Sequence, residues 1–296
     1  MLRFRFSVWG LLLASITGVG FGATLLREPG ASESGSAPKA PFQFVEEESG
    51  GTSPKVVVTD ANGAKWFVKF GPETKPETFS SNVVRSAGYF APVAYFVRSG
   101  TIRGISPGAL KRAAKAIAPE TGAFENARFT REFSAVAGKK WSLDTADLKG
   151  TRELAGLKLL IMLLASWDVK PDNQAVIQDG GREVYAVTDW GQTMGVPERK
   201  SQWSCEGYRK QTPVWIDGIE DGFIYFRHDG KLAGQVTNGV RVSDAKWLSD
   251  RLSFLTDSAI RDRFEKSGAT AEEAACFVPA FAERLGSLRK VAALDK

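Results

Sequence analysis

The chain has 296 residues, 43% hydrophobic and 25% charged, with a formal net charge of +5. That length suits one two-lobed domain or two small ones, and the mild positive balance contains no long Lys/Arg run, so no nucleic-acid partner is expected. His228 is the only histidine, and Cys205 and Cys276 are the only cysteines, which leaves histidine-based catalysis one candidate base and excludes a structural zinc site built on about four Cys/His ligands.

His228 lies in Arg227-His228-Asp229-Gly230, a polar run that reads as a surface turn. Any metal would be a hard cation on oxygen ligands.

Arg3 and Arg5 precede an uncharged stretch from Phe6 to Leu26. Its length matches the roughly 20 residues that span a bilayer, and its positive start and small residues Gly20 and Gly22 also describe a signal peptide. Residues 1–26 are therefore expected to form a hydrophobic helix, either an uncut membrane anchor or a cleaved signal. The positive-inside rule then puts the folded region outside the cytoplasm. There Cys205 and Cys276 are free to pair, a pairing the sequence alone does not fix. Residues 27–53, rich in Pro, Gly, Ser and Ala, read as a flexible tether ending in a Gly-rich segment.

Pro54–Phe70 reads as a β-hairpin with its turn at Ala61-Asn62-Gly63; Trp66, Val68 and Phe70 face one way, and Lys65, Phe67 and Lys69 the other. A helix follows. Thr74 and Glu77 have capping-box spacing, Pro76 suits a first turn, and Gly88 is a stop. Residues 89–97 read as a strand, with Pro92 at an edge or bulge. Residues 110–117 suggest a short basic helix, and the rest of 99–150 has no clear pattern.

Residues 153–167 make the strongest helix, apolar almost all round and interrupted by Lys158. The loop Trp167-Asp168-Val169-Lys170-Pro171-Asp172-Asn173 follows, and then a second hairpin ending in Thr188-Asp189-Trp190-Gly191. From Ala245 to about Leu294 the pattern gives two or three amphipathic helices. The order predicts an α+β fold with a sheet-rich first lobe over 54–150 and a helical second lobe over 151–296.

Four pieces carry chemistry. Phosphoryl transfer needs placed cations for phosphate charge and a carboxylate near the acceptor hydroxyl. Lys69 ends a strand and can reach phosphate oxygens. Asp168 precedes Asn173 by the spacing of a kinase catalytic Asp and metal-binding Asn, with Lys170 and Pro171 between them. Asp189-Trp190-Gly191 stands where kinases have Asp-Phe-Gly. Gly51, Thr52 and Ser53 are small enough for backbone N–H groups to approach phosphates. Singly, each also reads as an ordinary strand, turn or tether residue.

Together these motifs resemble the HipA-type and wider atypical kinase-like families over roughly residues 45–195. The resemblance implies a two-lobed kinase-like fold, ATP and Mg2+ as cofactors, and an acceptor it does not specify. Asp168 would be the catalytic base with Lys170 beside it, and Asn173 and Asp189 the magnesium ligands. Lys69 and Gly51, Thr52 and Ser53 would meet the nucleotide phosphates. Glu77 is the candidate carboxylate partner of Lys69, although its capping-box position explains it equally well. Ser166 and Trp167 replace the His-Arg of the protein-kinase loop, and no Gly-x-Gly-x-x-Gly loop is present. Two functions stay open: an active phosphotransferase, and an inactive pseudokinase module anchored at the membrane.

Overall fold

A computed structural model of the chain describes residues 24–27, 36–133, 135–179, 181–195 and 203–295. The expected N-terminal hydrophobic helix falls on residues 1–23, outside the described residues, apart from its last three. Those three belong to the folded body. Leu25 is 1% exposed in the main core, and Thr24 exchanges backbone hydrogen bonds with Glu183 and Tyr185 at 3.1 and 2.7 Å. Among the described residues no helix is long and apolar enough to cross a membrane.

The first lobe is a closed five-stranded barrel: β1 (Phe42–Glu48), β2 (Lys55–Thr59), β3 (Lys65–Phe70), β4 (Ala94–Arg103) and β5 (Ala123–Thr130), in the order β1-β2-β3-β5-β4. β4 closes on β1 in parallel, and the other pairs are antiparallel. The period-2 pattern expected for the hairpin holds. Trp66, Val68 and Phe70 point into the barrel with Val56, Val58 and Phe129. The Asp60 carboxylate fixes the turn, accepting from Asn62 N, Ala64 N and Trp66 Nε1 at 2.9, 2.9 and 3.0 Å.

Three expectations change here. Residues 42–48 are strand β1 and not tether: Phe42 buries into the barrel, while the acidic half of the strand hides the alternation. The strand expected over 89–97 starts later, at Ala94, because Pro92 lies before the ladder. In place of a helix over 110–117 there is one 3-10 turn, Ala113–Lys115, and the unassigned stretch beyond it contains β5.

α1 (Thr74–Ser86) packs on β4 and β5. Its start differs from the expected capping box. The residue before it, Glu73, makes no side-chain cap, Thr74 Oγ1 donates back to Gly71 O, and Glu77 turns into the cleft. Gly88 does end the turn, at φ +94°, a left-handed value that favours glycine.

The second lobe is built on α2 (Arg152–Leu163), capped by Thr151, whose hydroxyl accepts from Leu154 N at 3.3 Å. Leu154, Leu157, Leu160, Ile161 and Leu164 are all buried, each worth about 1.5–3 kcal/mol. Lys158 is buried too and donates to Asn238 O at 2.9 Å. The hairpin β6 (Gln174–Asp179) and β7 (Arg182–Val187) follows as expected. The short helix α3 (Cys205–Gln211), the hairpin β8 (Ile216–Glu220) and β9 (Phe223–Phe226), and α4 (Ala233–Thr237) come next.

The three C-terminal helices are α5 (Val242–Arg251), α6 (Asp257–Lys266) and α7 (Ala271–Ala292). Cys205 and Cys276 are disulfide-bonded across 71 residues, tying α3 to α7. A cross-link closing so long a loop contributes about 2–4 kcal/mol.

Candidate functional site: a cleft between the lobes

A cleft of about 1220 Å³ lies between the barrel and the helical lobe. Every residue singled out for chemistry lines it: Gly51, Thr52, Ser53, Lys69, Glu77, Asp168, Lys170, Asn173 and Asp189.

On the barrel side, Lys69 Nζ pairs with Glu77 Oε2 at 3.0 Å, which settles the double reading of Glu77 in favour of the ion pair. Sequence reasoning missed the other half of this cluster. The β3–β5 register sets Arg128 directly opposite Lys69, and Arg128 Nη1 pairs with the second oxygen of Glu77. Burial pushes the Arg128 guanidinium down to about 10, against the pull of the Asp189 and Glu73 carboxylates. Glu73 makes a further contact to Lys69. Removing Glu77 would leave two buried cations short of countercharge, a loss of about 3–5 kcal/mol by analogy with broken buried pairs.

The phosphate-loop candidate is held from outside. Arg112 Nη1 donates to Ser49 O and Gly51 O at 2.9 and 3.0 Å, and its Nη2 donates to Thr52 O. Gly51 has φ +69° and accommodates the bend.

On the helical side, the loop after α2 is locked by its own hydrogen bonds. Asn173 Nδ2 donates to Asp168 O at 2.9 Å. Thr188 N donates to Asn173 O at 2.9 Å, bringing the catalytic-loop candidate beside the Asp189 turn. Gly191 N donates to Asp189 Oδ1 at 2.9 Å. Trp190 is fully buried, with its Nε1 donating to Val187 O. Thr193 Oγ1 lies 2.8 Å from Ser80 Oγ, joining this turn to α1.

Asp168 has two cationic neighbours, Lys170 Nζ on Oδ2 at 2.9 Å and Lys231 Nζ on Oδ1 at 2.6 Å. Burial works against its ionisation. Hydrogen bonds from Lys231 and Lys170 outweigh that and hold the carboxyl below its ordinary value. Lys231 was missed because it arrives from a turn remote in sequence.

That turn also overturns the surface reading of His228. The imidazole is 7% exposed and stacks on Trp167, with centroids 4.9 Å apart and planes 5° from parallel. Burial, helped by the nearby Arg284 guanidinium, pushes it down to about 4, so it is neutral at pH 7. Lys231 N donates to Trp167 O at 3.0 Å, a second attachment of this turn to the catalytic loop.

No family model matches the chain, and no curated protein sequence matches it. Solved structures do. The proinflammatory kinase CtkA of Helicobacter pylori superposes with a TM-score of 0.51 at 12% identity, covering 88% of this chain and 100% of that one. The fold is kinase-like. A Golgi casein kinase gives a TM-score of 0.45 at 11% identity, over 87% of this chain and 72% of that one. HipA of Shewanella oneidensis MR-1, solved with HipB and operator DNA, gives 0.40 at 10% identity, over 95% and 76%. The kinase-like fold expected from the sequence is thus met, on the CtkA superposition.

The paired lysines define a titration. Replacing Lys231 with Met removes one cation from Asp168, so the carboxyl should titrate at higher pH than in the wild type. The measurement is a carbon-13 NMR titration of the Asp168 carboxyl. An unchanged midpoint would mean that Lys231 exerts no field on the base candidate.

Proposed function

We propose that the chain is an ATP- and magnesium-dependent phosphotransferase acting on a hydroxyl of a protein or small molecule. One observation carries this reading: Lys69 with its Glu77 partner, Asp168, Asn173 and Asp189, far apart in sequence, line the same cleft. A kinase-like fold supports it.

The donor set suits magnesium. Asp189 brings a carboxylate. Asn173 has its amide nitrogen committed to Asp168 O, which leaves the oxygen as the end available to a cation. Among the described residues no group of three or more His, Cys, Asp or Glu is placed to hold a metal alone. Magnesium commonly takes one or two protein oxygens and completes its shell with phosphate and water. Bound magnesium ATP would supply the phosphoryl group and the charge that offsets it.

The chain's own residues do the rest. Glu77 orients Lys69 toward the phosphates, with Gly51, Thr52 and Ser53 beside it. Asp168 accepts the proton of the acceptor hydroxyl, and its lowered pKa keeps it ionised for that role. Lys170 stays within reach of the same oxygens.

A second reading, an inactive kinase-like binding module, draws on a specific contact. Both oxygens of Asp168 are occupied by lysines, so the base is not free. Turnover separates the two. The wild type should transfer phosphate from ATP to an acceptor or to water, and Asp168→Asn should lose at least about a hundredfold while still unfolding in one cooperative melt. Full turnover in the variant removes Asp168 from the mechanism. A wild type with no turnover that still binds nucleotide supports the module.

We also propose that the folded domain lies outside the cytoplasm, tethered or released through the N-terminal segment. Arg3 and Arg5 ahead of the apolar run support this. The Cys205–Cys276 disulfide fits an oxidising compartment. A reporter enzyme that works only after export, fused behind Lys296, should be active. Activity of a cytoplasm-only reporter in the same place would reverse the topology.

A further inference from the structure

Glu73 occupies an unusual position. It stands just before α1 yet makes no side-chain cap to that helix. Its carboxylate turns into the cleft. Oε2 pairs with Lys69 Nζ and accepts from Ser53 Oγ at 3.3 Å. Oε1 accepts from Gln192 Nε2 at 2.6 Å. These donors come from β3, from the phosphate-loop candidate and from the segment behind Asp189.

An ammonium, a hydroxyl and an amide converging on two oxygens form a donor set suited to a phosphate group. The carboxylate stands in for two phosphate oxygens. Gly191 borders the same arrangement: a Cβ there would lie 3.0 Å from the Glu73 side chain, which would have to shift by a few tenths of an ångström.

Charge argues that the occupant must change. On this side of the cleft Lys55, Lys69, Arg128 and Arg131 face Glu48, Glu73, Glu77 and Glu132, four cations against four carboxylates. A phosphate entering that balanced set meets no excess positive charge. Lys69 already has Glu77 as a partner, so Glu73 can leave without stranding the lysine. Its departure frees three donors and one unit of positive charge together.

We propose that Lys69 Nζ, Ser53 Oγ and Gln192 Nε2 form a phosphate subsite that the Glu73 carboxylate fills, so that Glu73 and a phosphate group of the ligand compete for the same donors. This rests on the nucleotide reading of the cleft, adds Gln192 to the phosphate donors and gives Glu73 the role of their occupant in the empty cleft. Glu73 is then a built-in competitor that lowers the affinity of the empty cleft for phosphate.

The test is calorimetric titration of the full chain and its variants with ADP, inorganic pyrophosphate and adenosine, each with magnesium. Glu73→Gln keeps the size of the side chain and removes its charge. ADP should bind it on the order of tenfold more tightly than the wild type, and pyrophosphate should follow if the phosphates alone suffice. Adenosine, which brings no phosphate, should bind both proteins equally. With the competing charge removed, adding Ser53→Ala or Gln192→Leu to E73Q should in each case weaken ADP by about tenfold relative to E73Q, the scale of a hydrogen bond to a charged group. Glu73→Asp withdraws the carboxylate by one methylene and should also tighten ADP, which keeps the test open if E73Q does not fold.

Wild-type binding of ADP with no tightening in either Glu73 variant would overturn the inference and leave the nucleotide site standing. Equal tightening of adenosine would also overturn it, because the effect would not lie at a phosphate. Failure of wild type and variants alike to bind ADP or pyrophosphate would sink both the inference and the nucleotide reading.

Discussion

Lys69 and Arg128 stand directly opposite each other on adjacent strands, both nearly buried. Like charges so placed repel, and burial raises the penalty. The arrangement persists because Glu77 reaches in from α1 and gives one carboxylate oxygen to each cation. The strand register, the docking of α1 and the orientation of Lys69 are therefore one constraint. If α1 moved away, two buried cations would lose their common countercharge. Holding the helix against the sheet and aiming the lysine into the cleft are the same event.

The helical lobe meets this cluster through contacts of a different kind. α2 is buried almost all round, so its C-terminal end is a rigid point from which the Asp168 loop departs. Hydrogen bonds then fix that loop to the Asp189 turn through Asn173 and Thr188. The stacked pair Trp167 and His228 closes it from below. The Ser80–Thr193 contact ties the same turn to α1, the helix that carries Glu77. The halves of the cleft thus share a helix.

Much of this was legible in the sequence, for physical reasons that differ by element. The β2–β3 hairpin, α2, the β6–β7 hairpin and the C-terminal helices each bury one consistent face, and periodicity reports that directly. The motif residues were legible through the local spacing of Asp168 and Asn173 and of Asp189-Trp190-Gly191, and the fold brings them to the cleft that Lys69 lines. β1 and β5 were not. β1 is half acidic, with Glu47 accepting from the backbone of Lys111 and Ala113, and β5 carries Glu125, Asn126 and the buried Arg128. Their partners lie far along the chain, so the compensation for their polar residues does not show locally. Lys231, Arg112 and Gln192 escaped for the same reason. His228 was misread because its stacking partner, Trp167, is 61 positions away. The capping-box pattern at Thr74 and Glu77 misled because a buried pair of cations outcompetes a helix N-terminus for one carboxylate.

In the proposed nucleotide site the barrel would hold phosphate and the Asn173–Asp189 corner the cation. A crystal structure of the full chain with ADP and magnesium tests that claim most directly. The account predicts the diphosphate against Lys69 and the phosphate loop, with the cation bridging it to Asn173 and Asp189. Nucleotide bound at another surface, or in this cleft with its phosphates turned away from Lys69, would contradict it.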